Sequence, residues 1–353
     1  MQDPAEQGGL SFSHADARSS AEVAVIAEVG VNHDGDQAVA RRLIDAAAEA
    51  GADAVKFQYF HPDRLLSNQA GFAEYQRGQA ASQRELLAGL ALPIDVLAGL
   101  VSYARGCGLA AVVTPFSLED PAELAELELG AIKTASPDAV NTPLLRACAA
   151  LDLPMVVSTG TCSLDELEPA AAILRGHAVG GAMLHCVSSY PTPMNEAQLG
   201  GIAAIREAFR VSVGYSDHTP GVETGALAVL AGAVLLEKHL THDRGAQGPD
   251  HAASLDPEQM KHYVAKVREA AVALGTMTKS DRAIEHNVSR VSRQSVCVVR
   301  DLPAGHILEA DDLTVKRPGT GVPAAELDIV VGRRLARSVV ANDLLEIKDL
   351  VVG

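Results

Sequence analysis

The chain has 353 residues, 48% of them hydrophobic, with no Trp and 3% aromatic residues, so its core has to be built mainly from Ala, Val and Leu. The formal net charge is −16, and residues 282–353 balance ten Lys+Arg against ten Asp+Glu, which places the acidic excess in residues 1–281. Such a surface repels nucleic acid and anionic lipid at long range and excludes both as partners, while an anionic small molecule can still bind in a locally basic pocket.

Residues 1–20 are small and polar, with neither a basic start nor an apolar stretch, and are expected to form a disordered leader rather than a signal peptide. No apolar run reaches the ~18 residues that a membrane span needs, and the chain is expected to be cytoplasmic. Short apolar runs then begin near Val23, Asp53, Leu109, Ala131, Pro154, Ala182, Val211 and Ala233. Amphipathic stretches alternate with them, among them Gln37–Ala50, Leu118–Leu129, Leu164–Leu174, Glu196–Phe209 and Asp256–Leu274. Helix caps are expected at Asn141-Thr142-Pro143, Ser163-Leu164-Asp165-Glu166 and Asp256-Pro257-Glu258. Eight strand–helix repeats predict an α/β fold, a (β/α)8 TIM barrel over residues 21–278. The alternative, an open doubly wound sheet, would usually carry a glycine-rich phosphate turn after its first strand, and Gly30-Val31-Asn32-His33-Asp34-Gly35 is no GxGxxG. Residues 59–92, with Pro62, Gly71 and Gly78, predict a long loop serving as lid or substrate wall.

The pattern changes after residue 281. A linker is expected at 279–293, followed at 294–353 by a small β-rich, turn-rich domain that begins with a strand at Ser295–Val299. A unit of that size is marginal alone and usually leans on a partner surface. The five cysteines, Cys107, Cys148, Cys162, Cys186 and Cys297, form no CxxC pair and suit a reducing compartment. Cys186 reads as a small buried residue rather than a nucleophile.

The chemistry-bearing residues fall at strand ends. His218 and His239 lie 21 residues apart, each closing an apolar run, so a barrel would put both imidazoles on neighbouring strands at one rim. Two converging imidazoles can hold a divalent metal with positions left open for substrate. The other strand ends carry Glu28, Lys56 and Gln58, Thr114, Lys133 and Ser136 with Asp138 beyond, Ser158, Ser188 and Tyr190, Ser216, and Lys238, with Asp250 following. Any one of these is ordinary as a solvated charge or a helix cap, but such a group at all eight rims is not. Lysines with hydroxyls suit a phosphate, and Glu28 and Asp250 could fix sugar hydroxyls or move protons. The residues therefore point to a metal-dependent barrel enzyme acting on a phosphorylated, hydroxyl-rich small molecule.

At this point the chain resembles the N-acetylneuraminate (sialic acid) synthase family. The resemblance rests on Ile26-Ala27-Glu28-Val29-Gly30-Val31-Asn32-His33-Asp34-Gly35, Lys56-Phe57-Gln58, Thr114-Pro115-Phe116, Lys133-Thr134-Ala135-Ser136, His185-Cys186-Val187-Ser188-Ser189-Tyr190-Pro191, Ser216-Asp217-His218-Thr219, Glu237-Lys238-His239 and Gly248-Pro249-Asp250-His251. The tail, with Val315-Lys316-Arg317-Pro318-Gly319, resembles the antifreeze-like (SAF, β-clip) domain that ends these enzymes. The likeness implies condensation of phosphoenolpyruvate with an N-acylhexosamine aldehyde such as N-acetylmannosamine, giving a nine-carbon 2-keto acid and phosphate. It also implies Mn²⁺ or Mg²⁺ on His218 and His239, with Glu28 activating the water. Phosphoenolpyruvate would be held by Lys56, Thr114, Lys133, Ser136 and Ser216, with further contacts from Asp138 and Ser188. The sugar would be held by Gln58, Tyr190 and Asp250. The small domain would cap the barrel of a second subunit in a domain-swapped homodimer, with Arg317 facing the acyl group.

Four positions depart from the family pattern. Asp138 stands where Glu is common, Ser188 where Asn is, Thr161 where Met is, and Val291 where an aromatic is. Legionaminic, pseudaminic and 9-phosphate-forming relatives are open alternatives. So are a Schiff-base aldolase using Lys133 or Lys238 and a non-catalytic sugar-binding protein.

Overall fold

The computed structural model describes residues 23–71, 82–276 and 279–351, and the leader expected at 1–20 lies outside them. The chain divides into two units, Met1–Thr276 and Met277–Gly353.

Eight strands close into a parallel barrel in the first unit: β1 Ala24–Gly30, β2 Ala54–Tyr59, β3 Ala110–Pro115, β4 Ala131–Thr134, β5 Met155–Ser158, β6 Gly181–Cys186, β7 Ser212–Asp217 and β8 Leu235–His239. The last strand pairs with the first, Leu235 opposite Ala24 and His239 opposite Glu28. The helices of this unit are α1 Gln37–Glu49, α2 Pro62–Leu65, α3 Gln83–Leu90, α4 Ile94–Gly106, α5 Asp120–Leu124, α6 Thr142–Ala149, α7 Leu164–Gly176, α8 Gly200–Phe209, α9 Thr224–Ala231 and α10 Pro257–Leu274.

Successive strand residues point to opposite faces, and the two faces have different jobs here. Outward residues such as Val25, Ala27, Val55, Phe57, Val113, Ile132, Val157, Met183, Tyr215 and Leu236 pack with the helices in one continuous core. Inward residues Ile26, Ala54, Val112, Ala131, Val156, Ala182, Leu184 and Leu235 plug the barrel interior. The caps fix where helices start. The Asn141 side chain accepts from Leu144 N, Ser163 and Glu166 form a capping box, and Asp256 forms one with Gln259.

Two helices are shorter than the amphipathic pattern predicts. The stretch Leu118–Leu129 is helical only at α5, because bonds from Leu127 N to Leu124 O and from Leu129 N to Leu127 O turn the chain to bury Leu129 and enter β4. In Glu196–Phe209 the helix starts at Gly200, after Gln198 takes a left-handed φ of 47°. The described part of the long β2–β3 connection carries α2 and α3 before α4. Together with Val31 and Phe116 it forms a separate apolar cluster of Phe60, Leu65, Leu86, Leu87 and Leu90.

The second unit holds α11 His286–Ser292, the antiparallel pair β9 Ser295–Val298 and β10 Leu313–Lys316, and the short α12 Leu327–Val330. The region expected as linker thus carries a helix. Its core is Val296, Val298, Leu302, Leu308, Leu313, Val322, Val330, Leu335, Val339 and Leu345. Two matching turns, Glu309–Asp312 and Glu346–Asp349, each bury an aspartate that accepts a backbone bond of 3.0 Å and pairs with an arginine, Arg300 or Arg337. These contacts hold Asp312 at about 2, against burial that alone would raise it.

Candidate active site

The polar layer of the barrel lies one inward position beyond the apolar plug. Glu28 follows Ile26 by two residues, and the same step separates Lys56 from Ala54, Thr114 from Val112, Lys133 from Ala131, Ser158 from Val156, Cys186 from Leu184 and Glu237 from Leu235. The period-two geometry of the strand therefore delivers polar groups from seven strands to one level. Ser216 joins them, paired opposite Glu237 in the β7–β8 register.

Above this layer opens a cavity of about 520 Å³. Every site residue expected within the barrel lines it: Glu28, Lys56, Gln58, Thr114, Lys133, Ser136, Asp138, Ser188, Tyr190, Ser216, His218, His239 and Asp250. Glu237 and Ser158 line it too. Sequence reasoning gave Glu237 no role. Its signal was the two-residue spacing to His239 within one strand, which puts both on the same face. The opposite wall is apolar, formed by Val31, Phe60, Leu65, Leu87, Leu90 and Phe116.

The floor is a buried four-charge cluster. Lys56 Nζ lies 2.5 Å from Glu28 Oε2 and 3.2 Å from Thr114 Oγ1, while Gln58 Nε2 donates to Glu28 Oε1 at 3.1 Å. Lys133 Nζ donates to Ser158 Oγ at 2.6 Å and stands 3.7 Å from Glu237 Oε2. Burial pushes Glu28 up to about 7, further than Lys56 can hold it down. Glu237 goes the other way: burial would raise it, but Lys133 and Lys56 together bring it below the usual carboxylate range. Burial also lowers Lys133, whereas Lys56, flanked by Glu237 and Glu28, ends above its ordinary value despite burial. Of the two carboxyls, Glu28 is thus the one that exchanges a proton near neutrality. Asp250 is raised to about 6, again by burial, with Lys56 opposing.

Beside this cluster His218 and His239 face each other, ring centroids 5.4 Å apart, with the Tyr190 ring 4.2 Å from His218 and 5.8 Å from His239. Burial lowers both histidines, so both are neutral at pH 7. His218 Nδ1 is 2.8 Å from the Val187 carbonyl, which fixes the proton on that nitrogen. Its Nε2 lies 3.3 Å from Ser216 Oγ, whose single proton goes to Glu237 Oε1 at 3.0 Å, leaving the Nε2 lone pair uncommitted. His239 Nδ1 has no hydrogen-bond partner and lies 3.5 Å from Asp250 Oδ2. Neutral imidazoles, one oriented by a backbone carbonyl, are the form in which histidine binds a metal. Among the described residues no three His, Cys, Asp or Glu side chains converge as a complete ligand set. The two imidazoles are the side chains of this cavity that could hold a cation.

Residues 43–279 match the NeuB family model, and residues 293–351 match the SAF domain model. The chain belongs to the NeuB family. Its relatives include the N,N'-diacetyllegionaminic acid synthase of Legionella pneumophila, 37% identical over 91% of this chain and 92% of that protein. They also include human N-acetylneuraminate-9-phosphate synthase, 32% identical over 91% and 90%. Among solved structures, the N-acetylneuraminic acid synthetase of Leptospira borgpetersenii, in complex with citrate, superposes with a TM-score of 0.69 at 32% identity, covering 76% of this chain and 91% of that one.

Within this NeuB barrel, three positions refine the reading of the sequence. Lys238 does not face the cavity. It points out of the barrel wall, is 0% exposed and pairs with Asp217 at 3.2 Å, so it is removed as a Schiff-base candidate. Cys186 is buried as expected, but its Sγ lies 3.0 Å from Ser136 Oγ, beneath the site. Arg317 belongs to the second unit, where it is exposed and precedes a cis peptide bond to Pro318. The residues lining the cavity all come from the first unit.

Proposed function

We propose that this enzyme condenses phosphoenolpyruvate with an N-acylhexosamine aldehyde and water, giving a nine-carbon 2-keto acid and phosphate. The observation that carries the reading is the pairing of two buried lysines and four hydroxyls, those of Thr114, Ser136, Ser158 and Ser216, with two neutral imidazoles in one cavity. The lysines and hydroxyls offer the charge and donors that an enol phosphate needs. A divalent cation, Mn²⁺ or Mg²⁺, held by His218 and His239 would supply Lewis-acid polarisation of the aldehyde oxygen.

Lys56 and Lys133 hold phosphoenolpyruvate with its C3 toward the aldehyde carbon, and C3 attacks that carbon. Tyr190, Gln58 and Asp250 hold the sugar hydroxyls, and Asp138 and Ser188, which line the same cavity, add further contacts to phosphoenolpyruvate. Fixing two reactants in line contributes up to about 7–11 kcal/mol of barrier reduction. The C3 attack leaves an alkoxide on the former aldehyde carbon and a cation at C2. Glu28, as carboxylate, takes a proton from the water adding at C2, and that proton ends on the alkoxide. The tetrahedral adduct collapses to the 2-keto group as the C2–O bond to phosphate breaks and the phosphate carries off the C2 hydroxyl proton. A second, finer reading is favoured by the apolar wall of Phe60, Leu65, Leu87, Leu90 and Phe116. It suits an acceptor with methyl-bearing substituents, such as a diacetamido sugar, as in the Legionella relative's named product. The exposed Arg317 fits a domain-swapped homodimer in which each small domain completes its partner's cavity, and the use of phosphoenolpyruvate fits the cytoplasm.

The test is phosphate release from phosphoenolpyruvate with N-acylhexosamines, diacetamido sugars and their 6-phosphates. Release that depends strictly on one aldehyde sugar is expected. Release without any sugar, or trapping of Lys133 by borohydride with pyruvate, would refute the condensation.

A further inference from the structure

Asp217 and Lys238 stand directly opposite each other in the β7–β8 register. Both point into the apolar layer between barrel and helices, and both are 0% exposed. Lys238 Nζ lies 3.2 Å from Asp217 Oδ1 and donates to the Thr219 carbonyl. The same Oδ1 accepts from Thr219 N at 2.9 Å and from Thr219 Oγ1 at 2.7 Å. Thr219 Oγ1 in turn meets Thr224 Oγ1, at the head of α9, at 2.8 Å. The ammonium stands 5.6 Å from the Tyr263 ring centroid of α10.

A buried ion pair in such a layer is a weak source of stability, because the cost of desolvating two charges offsets their attraction and two apolar side chains often do as well. What this pair adds is position. Asp217 and Thr219 flank His218, and Lys238 precedes His239. Neighbouring strand residues point to opposite faces, so locking the outward side chain locks the direction of the inward one. We propose that the Asp217–Lys238–Thr219 network is a positioning device, set outside the barrel wall, that fixes the spacing and orientation of the His218 and His239 rings within it. The function of the rings as cation ligands rests on the reading above, but their positioning does not.

The test is the double variant Asp217→Leu/Lys238→Met in the full chain, read in two ways. For metal, titration with Mn²⁺ is expected to show affinity reduced about 10–100-fold, the scale of removing a group that orients a ligand. Thermal unfolding of the metal-free protein should stay near wild type. Without metal, imidazole ¹⁵N shifts should show His218 as a single Nδ1–H tautomer in wild type and, once the ring is released to turn away from the Val187 carbonyl, as a mixture in the variant. Wild-type Mn²⁺ affinity together with an unchanged His218 tautomer would overturn the proposal. If wild type binds no Mn²⁺, the cation reading falls and the tautomer alone decides the positioning. Should the double variant not fold, Thr219→Val removes one strut only. It is expected to shift both readouts the same way by a smaller factor, and no shift would overturn the proposal.

Discussion

Glu28 and Lys56 are direct partners across β1 and β2, their charged atoms 2.5 Å apart at the floor of the cavity. The ammonium does not keep the carboxyl ionised at low pH, because burial outweighs it and carries Glu28 up to about 7. A group that takes a proton from water has to be deprotonated first. With a raised value, the competent form is scarce below neutrality and dominant above it. The rate of phosphate release is therefore expected to climb with pH through about 7 and level off on the alkaline side. Glu28→Gln should lower kcat by about 10²–10⁴-fold and remove that acid limb, with KM for phosphoenolpyruvate moving only a few-fold. A profile that is flat on the acid side in the wild type would show that Glu28 does not titrate in turnover.

Removing divalent cations tests the proposed role of the imidazole pair. Chelation is expected to abolish activity, and Mn²⁺ or Mg²⁺ to restore it. His218→Ala should lose about 10²–10³-fold in kcat, the scale of several kcal/mol of charge stabilisation, and added metal should not recover it. Full activity in excess chelator would refute the assignment. Because His239 is already neutral, protonation is not expected to compete with the cation near pH 7.

The polar ring was legible in the sequence because a strand repeats its facing every second residue, and seven strands place a polar group two residues past an apolar one. The same rule should have separated Glu237 from Lys238. Lys238 was read as a strand-end charge and Glu237 was given no role, yet the register shows that Glu237 lines the cavity while Lys238 lies behind the wall. Residues 59–92 were expected as lid or substrate wall, and described residues of that stretch do line the cavity, but the apolar character of the wall was not legible. Leu65, Leu87 and Leu90 come from the long β2–β3 connection, and nothing local in that sequence says which surface their side chains meet. The overestimate of the helix at Leu118–Leu129 has a similar cause. Its period is helical, but burying Leu129 on the way into β4 overrides propensity.

Gly160 supplies a test of packing beneath the site. A Cβ placed there would lie 2.3 Å from Ser188 Oγ, 2.7 Å from Cys186 Sγ and 2.9 Å from Ser136 Oγ, and the Gly160 amide donates to Ser136 Oγ at 3.1 Å. The close approach, not φ, demands glycine. Gly160→Ala should push Ser136 and Ser188 into the cavity and lower kcat/KM for phosphoenolpyruvate by about 10–10²-fold, as small misplacements of bound reactants do. Affinity for the sugar should change less. Steady-state kinetics with each substrate varied in turn would show it, and unaltered kinetics would mean the three side chains yield without touching the substrate.

Arg317 offers a test of the proposed homodimer. The arginine is exposed on the second unit, while the cavity-lining residues come from the first. If it serves the partner's cavity, Arg317→Ala alone and Glu28→Gln alone should each be nearly inactive, yet a mixture should recover. In a heterodimer of the two variants, one site combines an intact Glu28 with an intact Arg317 from the other chain. Random reassociation of equal amounts makes half the dimers mixed, with one good site in two, so activity should reach about one quarter of wild type. Co-expression with two affinity tags isolates the heterodimer, which should show about half. No recovery would mean that Arg317 acts within its own chain or not at all, and normal activity of Arg317→Ala would take it out of the site.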